Sequence, residues 1–326
     1  MLKVYHTKDA DRQALKNLTV GIIGYGSQGR AQALNLRDSG IVPLIGLPAR
    51  SRSRRRARAD GLRVTTVPKM VQTCDIISFL APDHLHGKIF RDEVCGHLRH
   101  GQMLVFAHAA SVHFGAVQPP DFVDTILIAP LGPGKRLREL YGQRPGIACF
   151  FAVHHNATGR ARRVGLALAQ AIGCLQTGAI ETTCAEEAVG DLFGEQAVLC
   201  GGLSRLLKLG FDTLVDHGLA PEKAYLECVY QIDLIVDLIK AHGIAGMLER
   251  ISQTAAYGAV TNGPRVMDER LRKSFEAIYC DVETGRFFTR LSRRGHTESL
   301  DVSRITDRRF EDAARRVRQL LGNQDT

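Results

Sequence analysis

The sequence predicts an α/β chain: a parallel sheet wrapped by helices at the N-terminal end, then an all-helical C-terminal part. Three observations predict it. Short β-branched apolar runs alternate with helical patterns through the first half. The first of these runs leads directly into three glycines in G-x-G-x-x-G spacing. After about Thr182 the strand-like runs stop and apolar residues recur at helical spacing. The expected domains are residues 1–182 and 183–326, a division that suits a chain of 326 residues.

Residues 19–23, "TVGII", read as a buried strand. Gly24, Gly26 and Gly29 follow, then a helical pattern with Ala33, Leu34 and Leu36, which Gly40 stops. Each glycine has its own reason. Gly24 permits a tight turn, Gly26 lets a pyrophosphate approach the backbone, and Gly29 lets helix and strand pack closely. The helix N-terminus then favours the phosphate charge. "IVPLIGL" (41–47) closes the βαβ unit as a second strand that Pro43 weakens. Strand, glycine motif, helix and strand together predict a Rossmann-type dinucleotide site. The end of the second strand separates the two nicotinamide cofactors. An acid there grips the ribose diol, whereas basic and hydroxyl residues grip a 2′-phosphate. The chain offers Arg50, Ser51, Arg52 and Ser53, with no acid before Asp60, which favours NADP on local chemistry.

Four more runs read as strands: 74–82, 101–110, 125–134 and 146–154. The third of these six runs onward ends at loops where open α/β sheets bind ligands. His108 lies at such an end, with His113 as a competitor five residues on. In the helical half, "DLFGE" places Asp191 and Glu195 one turn apart, and "ECVYQ" repeats that spacing with Glu227 and Gln231. Acids on such apolar helices are either a solvated edge or an oxygen-only site for Mg²⁺ or Mn²⁺. The late run "FEDAARRVRQLLG" reads as a packing helix without chemistry.

Bulk properties exclude several classes. The net charge is +9, concentrated in "RSRSRRRARAD" (50–60), which contains no aromatic residue. Stacking platforms for bases are missing, so the run is read as a phosphate-facing loop that opens a solvated helix, and no nucleic-acid partner is expected. The eight cysteines include no CxxC pair, so zinc and iron–sulfur sites are not expected, and buried free thiols are. Residues 1–20 lack a signal-peptide block and no apolar run spans a bilayer, so a soluble cytoplasmic protein without a membrane partner is expected.

These residues resemble the ketol-acid reductoisomerases of the short, single-knot form. The matching stretches include "VGIIGYGSQGRAQALNLRDSG", "FAHAASVHFG", "DLFGEQAVLCGGLSRLLKLGFDTLV", "GIAGM", "TAAYG" and "GPRV", and the resemblance spans about residues 1–300. It implies an enzyme that shifts an alkyl group in a 2-hydroxy-2-alkyl-3-oxo acid and reduces the product with a nicotinamide cofactor and Mg²⁺. It also implies a knotted helical domain and a homodimer with shared active sites. Carried over by position, Asp191 and Glu195 resemble metal ligands from one helix, and Glu227 resembles a ligand from the second subunit. His108, Glu195, Gln231 and Ser252 fall at catalytic or substrate positions. Gly24, Tyr25, Gly26, Ser27, Gln28, Gly29, Arg50, Ser51, Ser53, Asp83, His86 and Gly134 fall at cofactor-facing positions.

The departures carry as much information. The family's glutamate at 231 is Gln231, its loop lysine at 131 is Leu131, its glycine at 109 is Ala109, and its arginine at 48 is Pro48. Gln231 and Leu131 remove charge from the place where an alkyl shift needs cations and donors. Pro48 removes a 2′-phosphate partner and turns the cofactor expectation towards NAD. The expected function is a repurposed member acting on a small-molecule substrate in specialised metabolism. An example is cyclopropanol closure on a sulfonium diol through concealed oxidation and reduction. The alternative is the ordinary reductoisomerase that converts 2-acetolactate.

Overall fold

The computed structural model describes residues 2–143, 146–293 and 301–322. They form two compact units. One runs to Gly190 and includes the helix Arg286–Arg293; the other runs from Asp191 to Thr284 and includes residues 301–322. The chain passes from one to the other inside the helix Cys184–Gly194.

The first unit is built on nine strands: β1 (Val4–Tyr5), β2 (Val20–Ile23), β3 (Leu44–Gly46), β4 (Arg63–Thr65), β5 (Ile76–Phe79), β6 (Met103–Phe106), β7 (Asp124–Pro130), β8 (Cys149–His155) and β9 (Ala179–Glu181). Their order is β1-β9-β8-β7-β6-β5-β2-β3-β4. From β7 to β4 every pair is parallel, with Ile23 opposite Phe79 and Ile22 opposite Ile45. Helices cover both faces, so β2, β5 and β6 are buried along their whole lengths and read as continuous apolar runs. The order reverses between β2 and β5, which makes the carboxyl ends of those strands the expected ligand crevice.

All six sequence-predicted strands are present, trimmed at their ends; β3 begins only after Pro43. Strand β8 turns out antiparallel to β7, and β1, β4 and β9, of two or three residues each, carry too little pattern to be seen in the sequence. The glycine motif opens the helix Ser27–Asp38, and Gly40 ends it with φ of 90°. Among the cysteines, Cys74, Cys149 and Cys174 are buried free thiols as expected, but Cys95, Cys200 and Cys280 are exposed.

In the second unit the helical stretch after Thr182 is interrupted just before the glycine pair Gly201 and Gly202. The helix Cys184–Gly194 widens into a π turn at Glu195–Leu199 before the helix Gly201–Asp216. The glycine pair follows from that turn: a Cβ at Gly201 or Gly202 would sit 2.1 Å from the carbonyl oxygen of Gln196 or Ala197. A second π turn, Leu226–Tyr230, separates the helix Pro221–Tyr225 from Ile232–Leu248, in which Gly243 (φ 71°) makes a kink. The helix Arg308–Leu320 packs through Phe310 against Phe211 and Tyr225, and Asp307 caps it while binding Lys208 at 2.8 Å. That last helix packs against its neighbours, as its pattern predicts. No described helix is long and apolar enough to cross a membrane.

Candidate active site

At the carboxyl ends of β2, β3 and β5 lies a cleft of about 540 Å³ whose lining includes Gly26, Ser27, Ser51, Ser53, Asp83 and His108. Its glycines play three different parts. Gly24 has φ of 97°, and a Cβ there would lie 2.5 Å from the Leu80 carbonyl oxygen, so the turn and the close approach both require glycine. A Cβ at Gly29 would lie 2.7 Å from the Gly24 carbonyl oxygen, so helix and turn touch there. A Cβ at Gly26 would meet no protein atom within 4 Å. The protein itself gives Gly26 no steric reason to be glycine; a pyrophosphate lying across the helix N-terminus does. The cradle therefore fits a dinucleotide.

Tyr25, Gln28, Leu47 and Pro48 also line the cleft. The Tyr25 hydroxyl donates to Asp60 at 2.8 Å, and Arg30 grips the same carboxylate at 2.7 and 2.9 Å. The Arg30 bonds hold the Asp60 carboxyl down at about 2. Asp60, the first acid after the second strand, is thus committed to Arg30 and Tyr25 rather than open to a ribose diol. The basic run forms an exposed helix, Ser53–Ala59, with Arg54 turned back to bond the carbonyls of Leu47 and Thr65 at 2.9 and 3.1 Å. Four residues placed by resemblance at the cofactor do not line the cleft; one of them is Gly29, packed against the Gly24 turn. Arg50 is exposed outside it. Gly134 packs its Cα against the backbone of Ser27, where a Cβ would come within 2.3 Å. His86 is 1% exposed beneath the cleft, with Phe79 and Phe106 around its ring.

Two residues beyond β6, His108 faces the cleft, whereas His113 is exposed and packs on Phe114. His108 is held by a residue that sequence reasoning overlooked. Glu187 accepts from the Ala109 N–H at 2.8 Å and lies 3.2 Å from His108 Nδ1. It is 4% exposed. A carboxylate there can only accept, so Nδ1 carries the hydrogen. The signal was present: Glu187 sits one helical turn before Asp191 in "CAEEAVGDLFGE", among apolar neighbours.

In the second unit Asp191 and Glu195 are exposed, and Glu195 opens the first π turn. Glu227 lies in the second π turn and Gln231 just after it. π turns inside helices often mark functional sites. The Gln231 amide donates to Glu227 at 3.5 Å and to the Leu226 carbonyl at 3.3 Å. The donors are hard oxygens, which fit a divalent cation such as Mg²⁺. Among the described residues of one chain, Asp191, Glu195 and Glu227 do not gather as a three-ligand group. Ser252 is exposed and caps the helix Gln253–Val266, accepting from the Ala255 N–H at 3.1 Å.

Residues 14–178 match the family model described as acetohydroxy acid isomeroreductase, NADPH-binding domain, and residues 184–322 match that of the ketol-acid reductoisomerase C-terminal domain. The chain belongs to the ketol-acid reductoisomerase family. It is an NAD(P)-dependent oxidoreductase by that membership. It is similar to an NADH-preferring ketol-acid reductoisomerase from an uncultured archaeon, with 35% identity, 98% of this chain and 99% of that chain covered, and a TM-score of 0.91. More distant likenesses show the fold alone. One is a semialdehyde dehydrogenase NAD-binding protein from Cupriavidus necator (19% identity, 82% and 99% covered, TM-score 0.63). Another is a pyrroline-5-carboxylate reductase from Streptococcus pyogenes (14% identity, 82% and 98% covered, TM-score 0.56). Leu131, in the loop after β7, is 47% exposed.

Proposed function

We propose that this reductoisomerase relative is a NAD- and Mg²⁺-dependent cytoplasmic enzyme of specialised metabolism. In this reading it acts on a hydroxy or keto substrate other than the usual 2-hydroxy-2-alkyl-3-oxo acid. The observation that carries the reading is the amide of Gln231 bonded to Glu227 at 3.5 Å, where a second carboxylate would add negative charge. Leu131 removes a cation as well. A substrate that brings its own positive charge suits the loss of that cation, and a sulfonium diol closed to a cyclopropanol is of that kind.

In this reading Gly26, Ser27 and the following helix N-terminus hold the pyrophosphate, and Ser51, Ser53 and Asp83 face the rest of the cofactor. Asp191 and Glu195 hold the cation together with Glu227 contributed by a second copy of the chain. When bound, the nicotinamide supplies or accepts the hydride and the cation polarises the substrate oxygens. Glu187 fixes the tautomer of His108, which exchanges a proton with the substrate hydroxyl. The shared site is supported by the helix Ile232–Leu248, which is apolar yet has no buried residue; Leu234 is 62% and Ile244 66% exposed. NAD is supported by Pro48, by the position of Arg50 outside the cleft, and by the stated NADH preference of the archaeal relative.

A second reading, the ordinary reductoisomerase, is favoured by the full-length match at 35% identity. The deciding experiment supplies purified protein with Mg²⁺, NADH or NADPH, and 2-acetolactate. The proposal expects no sustained turnover, and robust turnover overturns it in favour of the second reading. Tighter binding of NADPH than of NADH refutes the cofactor assignment.

A further inference from the structure

We infer that His86 is a positioning residue that ties the cofactor loop to the His108 loop, so that the two sides of the site are held in one arrangement. The inference rests on the reading of the cleft as the cofactor site and of His108 as the catalytic histidine.

His86 lies in the helix Asp83–Ile89, under the floor of the cleft. Its Nε2 is 2.8 Å from the carbonyl oxygen of Ala81, and its Nδ1 is 3.0 Å from the Ser111 hydroxyl. Ala81 lines the cleft in the loop after β5. Ser111, fully buried, belongs to the short helix Ala110–His113 that follows His108 and Ala109. A carbonyl can only accept, so Nε2 carries the hydrogen and donates to Ala81. Nδ1 of the neutral ring is then an acceptor, and the Ser111 hydroxyl donates to it. One ring therefore clamps two loops, neither of which is bonded to the other by strand pairing.

Only a neutral histidine does this. The ring is buried, with the Phe79 and Phe106 rings at 5.0 and 6.0 Å, and burial pushes the His86 imidazole below its ordinary value. A protonated ring would donate from both nitrogens, so Nδ1 could no longer accept from Ser111, although Asp83 at 3.7 Å from Nε2 would offset part of the buried charge. Because Ala109 also donates to Glu187, the clamp acts on the same segment that orients His108. Shifting Ser111 shifts Ala109, and with it the Glu187 contact.

The test compares wild type with His86→Gln, His86→Leu, Ser111→Ala and the double variant His86→Leu/Ser111→Ala. Glutamine can donate from its amide to Ala81 and accept from Ser111, so it should rescue; leucine fills the slot and makes neither bond. The first readout is hydrogen exchange of the Ala109 amide in the cofactor-free chain. The second is NADH affinity by fluorescence, and the third is kcat and KM. His86→Leu should speed Ala109 exchange and weaken NADH binding by about tenfold each, Ser111→Ala somewhat less, and His86→Gln by no more than about threefold. The double variant should equal His86→Leu, because both changes remove the same bond. Unaltered Ala109 exchange in His86→Leu, additive effects in the double variant, or a glutamine variant as impaired as leucine overturns the inference. Failure of wild type to bind any nicotinamide cofactor would count against the functional reading instead, and the exchange readout would still decide the clamp. If His86→Leu does not fold, Ser111→Ala, which removes one hydroxyl, carries the same test.

Discussion

Replacing Glu187 by glutamine probes how much of the site's chemistry depends on the buried carboxylate beside His108. The carboxylate makes two contacts in a buried setting, 2.8 Å to the Ala109 N–H and 3.2 Å to His108 Nδ1. The glutamine amide has the same shape but one acceptor and one donor end. Ala109 N–H must be met by the amide oxygen, so the NH₂ end faces His108. Nδ1 is then forced to accept, and the hydrogen moves to the other ring nitrogen. A hydrogen bond to a charged group contributes about 1.5–3 kcal/mol, and about 1.4 kcal/mol is tenfold in rate. The expected result is a fall in kcat of about 10–100-fold, with cofactor affinity changed by less than about threefold and thermal stability nearly kept. Glu187→Ala should do further damage: the buried Ala109 N–H loses its acceptor, at a cost of about 1–3 kcal/mol in stability. Steady-state turnover on the substrate that wild type accepts, cofactor titration and thermal unfolding measure the three quantities. A glutamine variant with kcat within twofold of wild type would refute the tautomer argument. So would a loss of cofactor binding as large as the loss of kcat.

Other outcomes follow from the same geometry. Gly24→Ala should destabilise the fold by about 1–3 kcal/mol, because its Cβ meets the Leu80 carbonyl at a positive φ. Gly26→Ala should fold normally and bind cofactor poorly; denaturant melts with NADH titration separate the two, and equal stability of both variants would contradict the assignment. Gln231→Glu restores a carboxylate beside Glu227 and should tighten Mg²⁺ binding by calorimetry, while an unchanged affinity places residue 231 outside the cation site. Leu131→Lys should weaken binding of a cationic sulfonium diol, and equal binding defeats the charge argument. The pH dependence of stability gives a further check. The His86 imidazole sits below its ordinary value of 6.5, mainly through burial, with Asp83 opposing and His108 and His84 lowering it further. The unfolded chain then binds the proton first, so stability falls as pH drops below 6.5, by at most about 1.4 kcal/mol per unit for this group. His154, also lowered by burial, contributes in the same direction. His86→Gln should make the decline shallower without abolishing it, and an unchanged slope would show that folding leaves the His86 titration unshifted.

Short-range stereochemistry made much of the first unit legible. A glycine that needs a positive φ, a β-branched run followed by a 3.6-residue pattern, and a terminal glycine are properties of neighbouring residues. The strands β2, β3 and β5 to β8, the helix Ser27–Asp38 and the three glycine roles could therefore be read directly. The acid spacing at Asp191–Glu195 and Glu227–Gln231 was legible for the same reason, though the two π turns that carry it were not, since an inserted residue leaves no change in composition. What only the tertiary structure decided is pairing over long separations. Glu187 reaches His108 across 79 positions, Asp60 is claimed by Arg30 across 30, and His86 bridges Ala81 and Ser111. Each is a polar group whose partner is chosen by burial. An unpaired polar atom in the interior is costly, and which neighbour satisfies it depends on how strands far apart in the chain come to lie side by side.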